Sequence, residues 1–392
     1  MTRSKRLAPG QELSGTNLER AGDYNQRIML QAIRIHGPAT RPDLAAFTGL
    51  TLPSVANITK RLIDDGLVHD AGQKRGGRGS PATRLAVSPD GCFALGVNID
   101  RDHVTTALVN FAGEIKEQVT AQIEFPRPKD VTRLYELAVS KLLLGRDGVT
   151  DKLVGVGVAM PDDFGAVDLP HRPADFSLWS RTDVKSLFTG GPPLPVYTEN
   201  DAAAAALAEL QFGIGASNPS FFYILVSWGL GGALVVEGEC FRGADGRSGE
   251  IGFLPLNSKG GSLQDLVSLS ALHARLETAE GGDASPRAAE IKATWIEDAS
   301  EALIGTVLSI CCIVNPQAIF VGGRLEEPVL EAFVAALNAK LARQTGLPTI
   351  APVLVAKGAE AAPVIGAAIL PFRDRLLPSR ASLRKKGGAV RP

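Results

Sequence analysis

The chain has 392 residues, of which 45% are apolar and 21% charged, and its formal net charge is −1. This length predicts two or three domains, and the composition excludes the disordered and coiled-coil classes. The four cysteines show no CxxC spacing, and the sequence contains neither a signal peptide nor an apolar run of about 18 residues. We therefore expect a cytoplasmic protein without a disulfide framework, a metal or a membrane span.

Basic residues are concentrated at the start of the chain. Residues 1–90 hold 13 lysines and arginines against 8 aspartates and glutamates, which leaves the remainder acidic. Such a distribution is typical of a nucleic-acid-binding module joined to a domain that binds small molecules.

The first ninety residues predict a small helical module. Residues 1–22 are polar without a sustained period, and we expect a disordered tail there. After it, three short helices and a strand hairpin predict a winged helix-turn-helix domain at 23–89. The first helix ends at Gly37-Pro38, Thr40 caps the second helix and Thr51 opens the third.

The third helix and the loop of the hairpin carry the side chains that we expect to contact DNA. Helical spacing assigns its buried face to Val55, Ile58, Leu62 and Ile63. The remaining polar positions are short near the start and cationic near the end, which suits base contact followed by phosphate contact. The Gly/Arg-rich loop is thin enough to enter a minor groove, although such a run can also be a solvated linker. The predicted DNA contacts are Thr51, Ser54, Asn57, Lys60 and Arg61 in the helix, and Arg75 and Arg78 in the loop.

From Cys92 onward, strands and helices alternate and predict an α/β fold. The same scheme begins again in the second half of the chain, so we expect two similar lobes. The first spans 92–198 and is completed by a C-terminal helix at 358–377, and the second spans 199–357. Residues 378–392 are expected to form a disordered basic tail.

Several short motifs in these lobes suggest a ligand site, although each is weak alone because glycine-rich turns are usually only turns. Asn200-Asp201 follows a strand, at the edge where open α/β sheets bind ligands, and can hold two vicinal hydroxyls. Glycine-rich segments occur at 229–232, around Glu250 and at Gly322-Gly323.

In this order and spacing, behind a winged helix, the motifs resemble the ROK family, which joins sugar-responsive bacterial repressors to sugar kinases. The resemblance covers about residues 25–372 and implies two lobes of the actin-like, ribonuclease-H-like fold that close over a sugar. It also implies a homodimer or a dimer of dimers. By the same resemblance Asp201 is the family's catalytic aspartate, Asn200 and Glu250 contact sugar hydroxyls, and Gly322-Gly323 is the loop on the nucleotide side.

The chain departs from the family's pattern at both phosphate loops. The first, Asp-x-Gly-Gly-Thr, reads here as residues 98–102, where Asp100 and Asp102 would repel phosphate and the glycines that let backbone N–H groups approach it are lost. In the second, Gly-Thr-Gly, Trp228 replaces the small hydroxyl residue. We therefore expect no ATP binding and no cofactor.

The sugar side also departs from the pattern. Phe253 stands where the family's Glu-x-Gly-His has its histidine, the zinc-binding cysteines are absent from 257–262, and Gln264 replaces an acid. No zinc is therefore expected. Trp179 could stack on a sugar ring, although a lone tryptophan also fits core packing. The predicted ligand-binding residues are Asn200, Asp201, Glu250, Phe253, Gln264 and Trp179.

Together these features predict a DNA-binding transcriptional regulator, a repressor, that responds to a sugar or sugar derivative without phosphorylating it. Closure of the cleft would change the spacing of two winged helices in a dimer and release, or less often promote, binding of double-stranded operator DNA. The alternatives are an active ATP-dependent sugar kinase with an appended DNA-binding module, and a DNA-binding protein whose second half is only a dimerisation scaffold.

Overall fold

The computed structural model describes residues 18–74, 82–146, 148–162, 164, 173–256, 260–278, 286–346 and 349–378. By their contacts the described residues form two compact units. The first holds those up to Cys92 together with those from Phe372 onward, and the second spans Phe93–Pro371.

The first unit combines three helices with a small antiparallel sheet. Its elements are α1 (Leu18–His36), β1 (Ala39–Thr40), α2 (Arg41–Thr48), α3 (Leu52–Asp64), β2 (Val68–Lys74) and β3 (Ala82–Val87). The strand order is β1-β3-β2.

The starts of α2 and α3 are set by their caps, as the sequence predicts. The Thr40 hydroxyl accepts from the backbone N–H of Asp43, whose carboxylate accepts in return from the N–H of Thr40. At α3 the Thr51 hydroxyl accepts from the N–H of Ser54. Each cap satisfies N–H groups that the first helical turn leaves without a partner.

The predicted disordered tail is wrong for its last residues, because α1 begins at Leu18 and runs through 22. The first turn of α1 carries no apolar period, and later in the helix Arg27 forms an ion pair with Asp23 one turn earlier, at 3.0 Å. Arg27 also donates to the carbonyl of Asp374, a partner far along the chain. Residues 1–17 of the predicted tail lie outside the described residues.

The buried face of α3 differs by one position from the prediction. Val55 and Leu62 are buried, but Ile63 is 37% exposed. Thr59 is buried instead, because its hydroxyl accepts from Nε of Arg41 at 3.0 Å.

The second unit is a mixed α/β structure built on two five-stranded sheets. The first sheet has the order β6-β5-β4-β7-β8 and consists of β4 (Phe93–Ile99), β5 (His103–Asn110), β6 (Ile115–Gln122), β7 (Leu153–Met160) and β8 (Val196–Asn200). The second has the order β11-β10-β9-β12-β13 and consists of β9 (Phe221–Val226), β10 (Leu230–Val236), β11 (Glu239–Phe241), β12 (Ala318–Gly323) and β13 (Val353–Val355). In each sheet three antiparallel strands are extended by two parallel ones.

Helices cover these sheets. They are α4 (Pro128–Leu143), α5 (Asp201–Phe212), α6 (Leu269–Glu277), α7 (Ala288–Val314), α8 (Glu327–Leu341) and α9 (Ala362–Arg375), whose last residues are counted with the first unit. The alanines of α5 are buried, and α9 lies against β4 and β7. Within the described ranges, no helix has both the length and the hydropathy needed to span a bilayer.

Candidate functional site

The end of β8 and the start of α5 form one wall of the candidate site. Asn200 caps α5, because its Oδ1 accepts from the N–H of Ala203 at 3.0 Å, while its Nδ2 donates to Asp162 at 3.2 Å. Asp201 is the first residue of α5, and its Oδ1 accepts from the N–H of Ala202 at 2.8 Å. Both side chains thus lie at the carboxyl edge of the sheet, where the sequence predicts them.

Asp201 lies in an environment that disfavours its charge. Burial raises the pKa of this carboxyl to about 7, and the nearby charges of Asp100 and Asp162 act in the same direction. The N–H of Ala202 and the charge of Arg101 oppose the rise. Near neutral pH the carboxyl can therefore donate or accept a hydrogen bond, as recognition of a hydroxyl requires.

Gly229 and the first residues of β10 form the facing wall. A Cβ placed on Gly231 would lie 4.0 Å from Oδ1 of Asp201, and one placed on Gly229 would lie 3.3 Å from Oε1 of Gln264. The structure therefore brings Asp201 and Gln264 to the same short segment, residues 229–231. Gln264 itself belongs to a 3₁₀ turn, Leu263–Asp265.

Glu250 and Phe253 lie at the two ends of the neighbouring loop. Glu250 is half-buried and directly precedes the 3₁₀ turn Ile251–Phe253. A Cβ on Gly252 in this turn would lie 3.5 Å from Cβ of Gln264, so the turn packs on the Gln264 segment. Phe253 is 46% exposed and leaves an aromatic face open to a ligand.

The prediction that Trp179 stacks on a sugar is wrong. Its indole is buried, its Nε1 donates to the carbonyl of Pro126 at 2.8 Å, and its ring packs edge-on against Phe164. A tryptophan with its N–H satisfied inside an aromatic cluster is part of the core.

Arg101 is a site residue that the sequence reasoning missed. Its guanidinium extends to β10, and a Cβ on Gly229 would lie 2.5 Å from its Nη1. Its Nε is buried without a hydrogen-bond acceptor among the described residues. The signal for it in the sequence is the arginine that stands in place of a phosphate-loop glycine.

Asp102 is not the free negative charge that the sequence suggests. It accepts from Nη1 of Arg324 at 2.5 and 2.8 Å and bonds Nδ1 of His103 at 2.7 Å. Burial alone would raise its pKa, but the hydrogen bonds and charges of His103 and Arg324 outweigh burial and lower it. The prediction that this acid repels phosphate is therefore corrected, because Arg324 neutralises it.

Asp100, Asp102 and His103 also bring potential metal-ligand atoms within 4.8 Å of one another. Nη1 of Arg324 lies 3.0 Å from Nδ1 of His103 as well as against Asp102. The guanidinium supplies the positive charge there that a metal ion would bring.

The predicted DNA-contacting side chains of α3 point into solvent. Asn57, Lys60 and Arg61 are exposed and lie on one helix face, since residues three and four apart are neighbours. Thr51 and Ser54 bond each other at 2.9 Å and serve first as the helix cap. Arg75 and Arg78 lie outside the described residues.

Comparison with known families decides the identity of the second unit. The model of the ROK family matches residues 94–373. The chain belongs to the ROK family.

Relatives of the chain include proteins that are named as sugar repressors. The chain is 24% identical to the xylose repressor of Bacillus subtilis over 238 residues, which are 60% of this chain and 61% of that repressor. This match therefore spans only about three fifths of the repressor. The chain is 22% identical to the N-acetylglucosamine repressor of Escherichia coli O157:H7 over 384 residues, which are 88% of this chain and 92% of that protein.

Solved ROK structures share the fold. A ROK family transcriptional regulator, a homologue of the Escherichia coli MLC protein, has a TM-score of 0.69 and 21% identity, covering 93% of this chain and 99% of that one. A ROK family glucokinase from Streptomyces griseus, solved with glucose and AMPPNP, has a TM-score of 0.57 and 22% identity, covering 71% and 98%. Both a regulator and a kinase thus share the kinase-like α/β fold of this chain.

In this ROK domain the packing of neighbouring side chains requires a glycine at position 322, in the predicted nucleotide-side loop. A Cβ on Gly322 would overlap the buried hydroxyl of Tyr223. Trp228, which stands in the second phosphate loop, packs edge-on against His273 with ring centroids 5.7 Å apart.

Proposed function

We propose that the chain is a sugar-responsive DNA-binding regulator, a repressor, whose ROK domain binds its ligand without phosphorylating it. The observation that carries this proposal is the guanidinium of Arg101 against Gly229. That side chain joins the two loops that a kinase of this family uses to hold phosphates, so arginine fills space that a nucleotide needs.

The ion pair between Asp102 and Arg324 supports the same reading. It connects the loop after β4 with the residue that follows Gly322-Gly323. Phosphoryl transfer depends on positioned phosphates and on stabilisation of their charge. Without a nucleotide Asp201 has no phosphoryl transfer to assist, and its carboxyl serves ligand binding.

We place the sugar between the start of α5 and the start of β10. Asp201 and Asn200 supply polar groups from one wall, Gln264 and Glu250 supply them from the other, and the exposed ring of Phe253 packs on the ligand. Convergent carboxylates and amides beside an aromatic face suit a polyhydroxylated ligand. The names of the xylose and N-acetylglucosamine repressors support a sugar.

We propose that the first unit is a winged helix-turn-helix. Its three helices and its β2-β3 hairpin are the elements this motif requires, and α3 presents Asn57, Lys60 and Arg61 to solvent. Arg75 and Arg78 would enter a minor groove from the loop of the hairpin. A homodimer, or a dimer of dimers, would set the spacing of two such helices on an operator.

The rival enzyme function is tested by incubating the protein with a hexose panel, Mg²⁺ and ATP. We expect no phosphorylated sugar. Turnover that is abolished by Asp201→Asn would overturn the proposal in favour of a kinase.

The rival scaffold function is tested by thermal-shift measurement with sugars and sugar phosphates. A ligand that binds only the folded chain stabilises it by RT ln(1 + [L]/Kd), about 2.7 kcal/mol at a hundredfold excess over Kd. The absence of stabilisation by any of these compounds would favour a dimerisation scaffold.

A further inference from the structure

A second pocket lies on the first sheet, beside the N-terminus of α9. Its volume is about 120 Å³, smaller than the sites of about 300–1,000 Å³ that take drug-sized ligands, so only a small molecule would fit. Asn98, His103 and Thr105 are buried in it, whereas Gln118 and Thr120 are exposed. Its full lining is Asn98, His103, Thr105, Gln118, Thr120, Gln122, Arg324, Glu360, Ala361 and Val364, none of which belongs to the sugar site proposed above.

The amide of Asn98 is incompletely bonded inside this pocket. Asn98 is 7% exposed, and its Nδ2 lies 3.1 Å from Nε2 of His103. Its Oδ1 has no partner among the described residues. Rotating the amide by half a turn would only exchange the unpartnered acceptor for an unpartnered donor. A buried polar group of this kind costs free energy unless a ligand or solvent group bonds it, and a hydroxyl serves either orientation because it both donates and accepts.

The charges of the lining favour a neutral ligand. Arg324 is already engaged by Asp102, and Glu360 adds a negative charge at the rim. The other polar lining residues are amides, hydroxyls and one imidazole. The hydroxyls of Thr105 and Thr120 bond each other at 2.9 Å across neighbouring strands. Such a surface offers many single hydrogen bonds and no uncompensated cation for a phosphate.

We propose that this pocket is a second binding site, for a neutral, hydroxyl-rich small molecule no larger than a monosaccharide. The site shares no lining residue with the ligand site built around Asp201. Each chain would then take up two small molecules.

The test measures binding to the full chain by titration calorimetry in an Asp201→Asn background, which impairs the first site. The probes are D-glucose, D-xylose, N-acetyl-D-glucosamine and myo-inositol, with AMP-PNP and Mg²⁺ as the charged comparison. We expect at least one neutral probe to bind this variant.

The double substitution Thr105→Val and Thr120→Val, added to that background, should weaken binding at least tenfold. It replaces two mutually bonded hydroxyls by methyl groups of the same shape, a change that is nearly neutral for folding. Gln118→Ala at the exposed rim is a second variant that leaves the buried lining intact and should weaken binding several-fold.

Three results would overturn the proposal. They are the absence of binding by every neutral probe in the Asp201→Asn chain, binding that none of the pocket substitutions weakens, and binding of AMP-PNP that excludes the neutral probes. A different measurement, the release of operator DNA by a sugar, tests the proposed function. Operator release by a sugar should be lost in Asp201→Asn and retained in the double valine variant.

Discussion

The loop after β4 has three consecutive charged residues, and each has a different partner. The carboxylate of Asp100 accepts from the N–H of Arg101, the guanidinium of Arg101 lies against Gly229, and Asp102 is held by Arg324. Because Asp100 and Asp102 are both buried or nearly so, their charges are tolerated only with such partners. The loop is therefore an internal charge network.

Breaking the Asp102–Arg324 pair from one side should destabilise the chain. Arg324→Met leaves a largely buried carboxylate without its cation, and we expect a loss of about 2 to 3 kcal/mol of unfolding free energy. The double variant Asp102→Asn with Arg324→Met should recover at least half of that loss. Urea denaturation with an unchanged m-value measures both.

The sign of the pH effect follows from the lowered pKa of Asp102. A carboxyl with a lowered folded pKa stabilises the protein above its ordinary pKa near 4, and this contribution disappears as the pH falls through the folded value. The difference in unfolding free energy between the native chain and Arg324→Met should therefore become smaller as the pH falls. An equally stable Arg324→Met chain at pH 7 would contradict the pairing.

Asp201 should make the stability of the chain depend on pH in the opposite direction to Asp102. Its pKa rises from 3.8 to about 7 on folding, so between these values the folded carboxyl keeps its proton while the unfolded one has ionised. Stability due to Asp201 therefore falls with rising pH, by at most about 1.4 kcal/mol per pH unit.

Asp201→Asn removes the pH-dependent contribution of the Asp201 carboxyl to stability. The stability of this variant relative to the native chain should therefore increase from pH 4 to pH 7 and then level off. Thermal unfolding across that range measures the difference. Asp245→Asn, at an exposed position, is the matched control and should show no such trend. A flat difference for Asp201→Asn would rule out the buried, protonated carboxyl.

Single side chains were predictable from the sequence where a motif fixed them locally. Asn200 and Asp201 lie at a strand end because the strand and the following helix are both read from neighbouring residues. Trp179 and Arg101 were not predictable. The carbonyl that binds Trp179 is 53 positions away, and the space that receives Arg101 lies in the other sheet.

At the scale of elements, caps and composition decide where helices begin and which side they expose. Thr40 and Thr51 start α2 and α3 as expected, because N-cap chemistry acts within a few residues. The start of α1 was missed, because a polar helical turn carries no apolar period. In the structure, Arg27 of this helix bonds to Asp23 and to the carbonyl of Asp374, and the second of these partners is far along the chain.

The exposed face of α3 predicts two different effects on DNA binding. If Lys60 contacts a phosphate, as the proposed function implies, Lys60→Ala should weaken binding to all sequences alike and reduce the slope of log K against log salt by about 1. If Asn57 contacts a base edge, Asn57→Ala should cost about 1–3 kcal/mol on the operator and little on unrelated DNA.

Fluorescence anisotropy at several salt concentrations, on operator and on random DNA, measures both effects. Lys185→Ala, which removes an exposed lysine of the second unit, is the control and should change neither. If Lys60→Ala lost the preference for operator over random DNA, Lys60 would not be a phosphate contact. If Asn57→Ala kept that preference, Asn57 would not be a base contact.

At the scale of the whole molecule, the repeated sheet positions the residues of the candidate site. Both sheets order their strands in the same way, and the carboxyl ends of β4, β8 and β12 bear the loops that hold Asp100, Asp201 and Arg324. The repeat was predictable from alternating strands and helices. The pairing of the loops was not, because it depends on contacts between the two sheets.

A ligand that regulates DNA binding must obey reciprocity. If a sugar lowers operator affinity by some factor, the operator must lower sugar affinity by the same factor. We expect a coupling of about 1–3 kcal/mol, in the usual range. Sugar titrations of the free chain and of the chain saturated with operator measure it, and equal sugar affinities in the two would exclude regulation through this ligand.

The bond from Arg27 to the carbonyl of Asp374 joins residues 347 positions apart. On the ribosome the first helix emerges long before its acceptor is made, so this anchor of the N-terminal unit can form only after residue 374 has been synthesised. A chain truncated before Asp374 would have an N-terminal unit without that anchor.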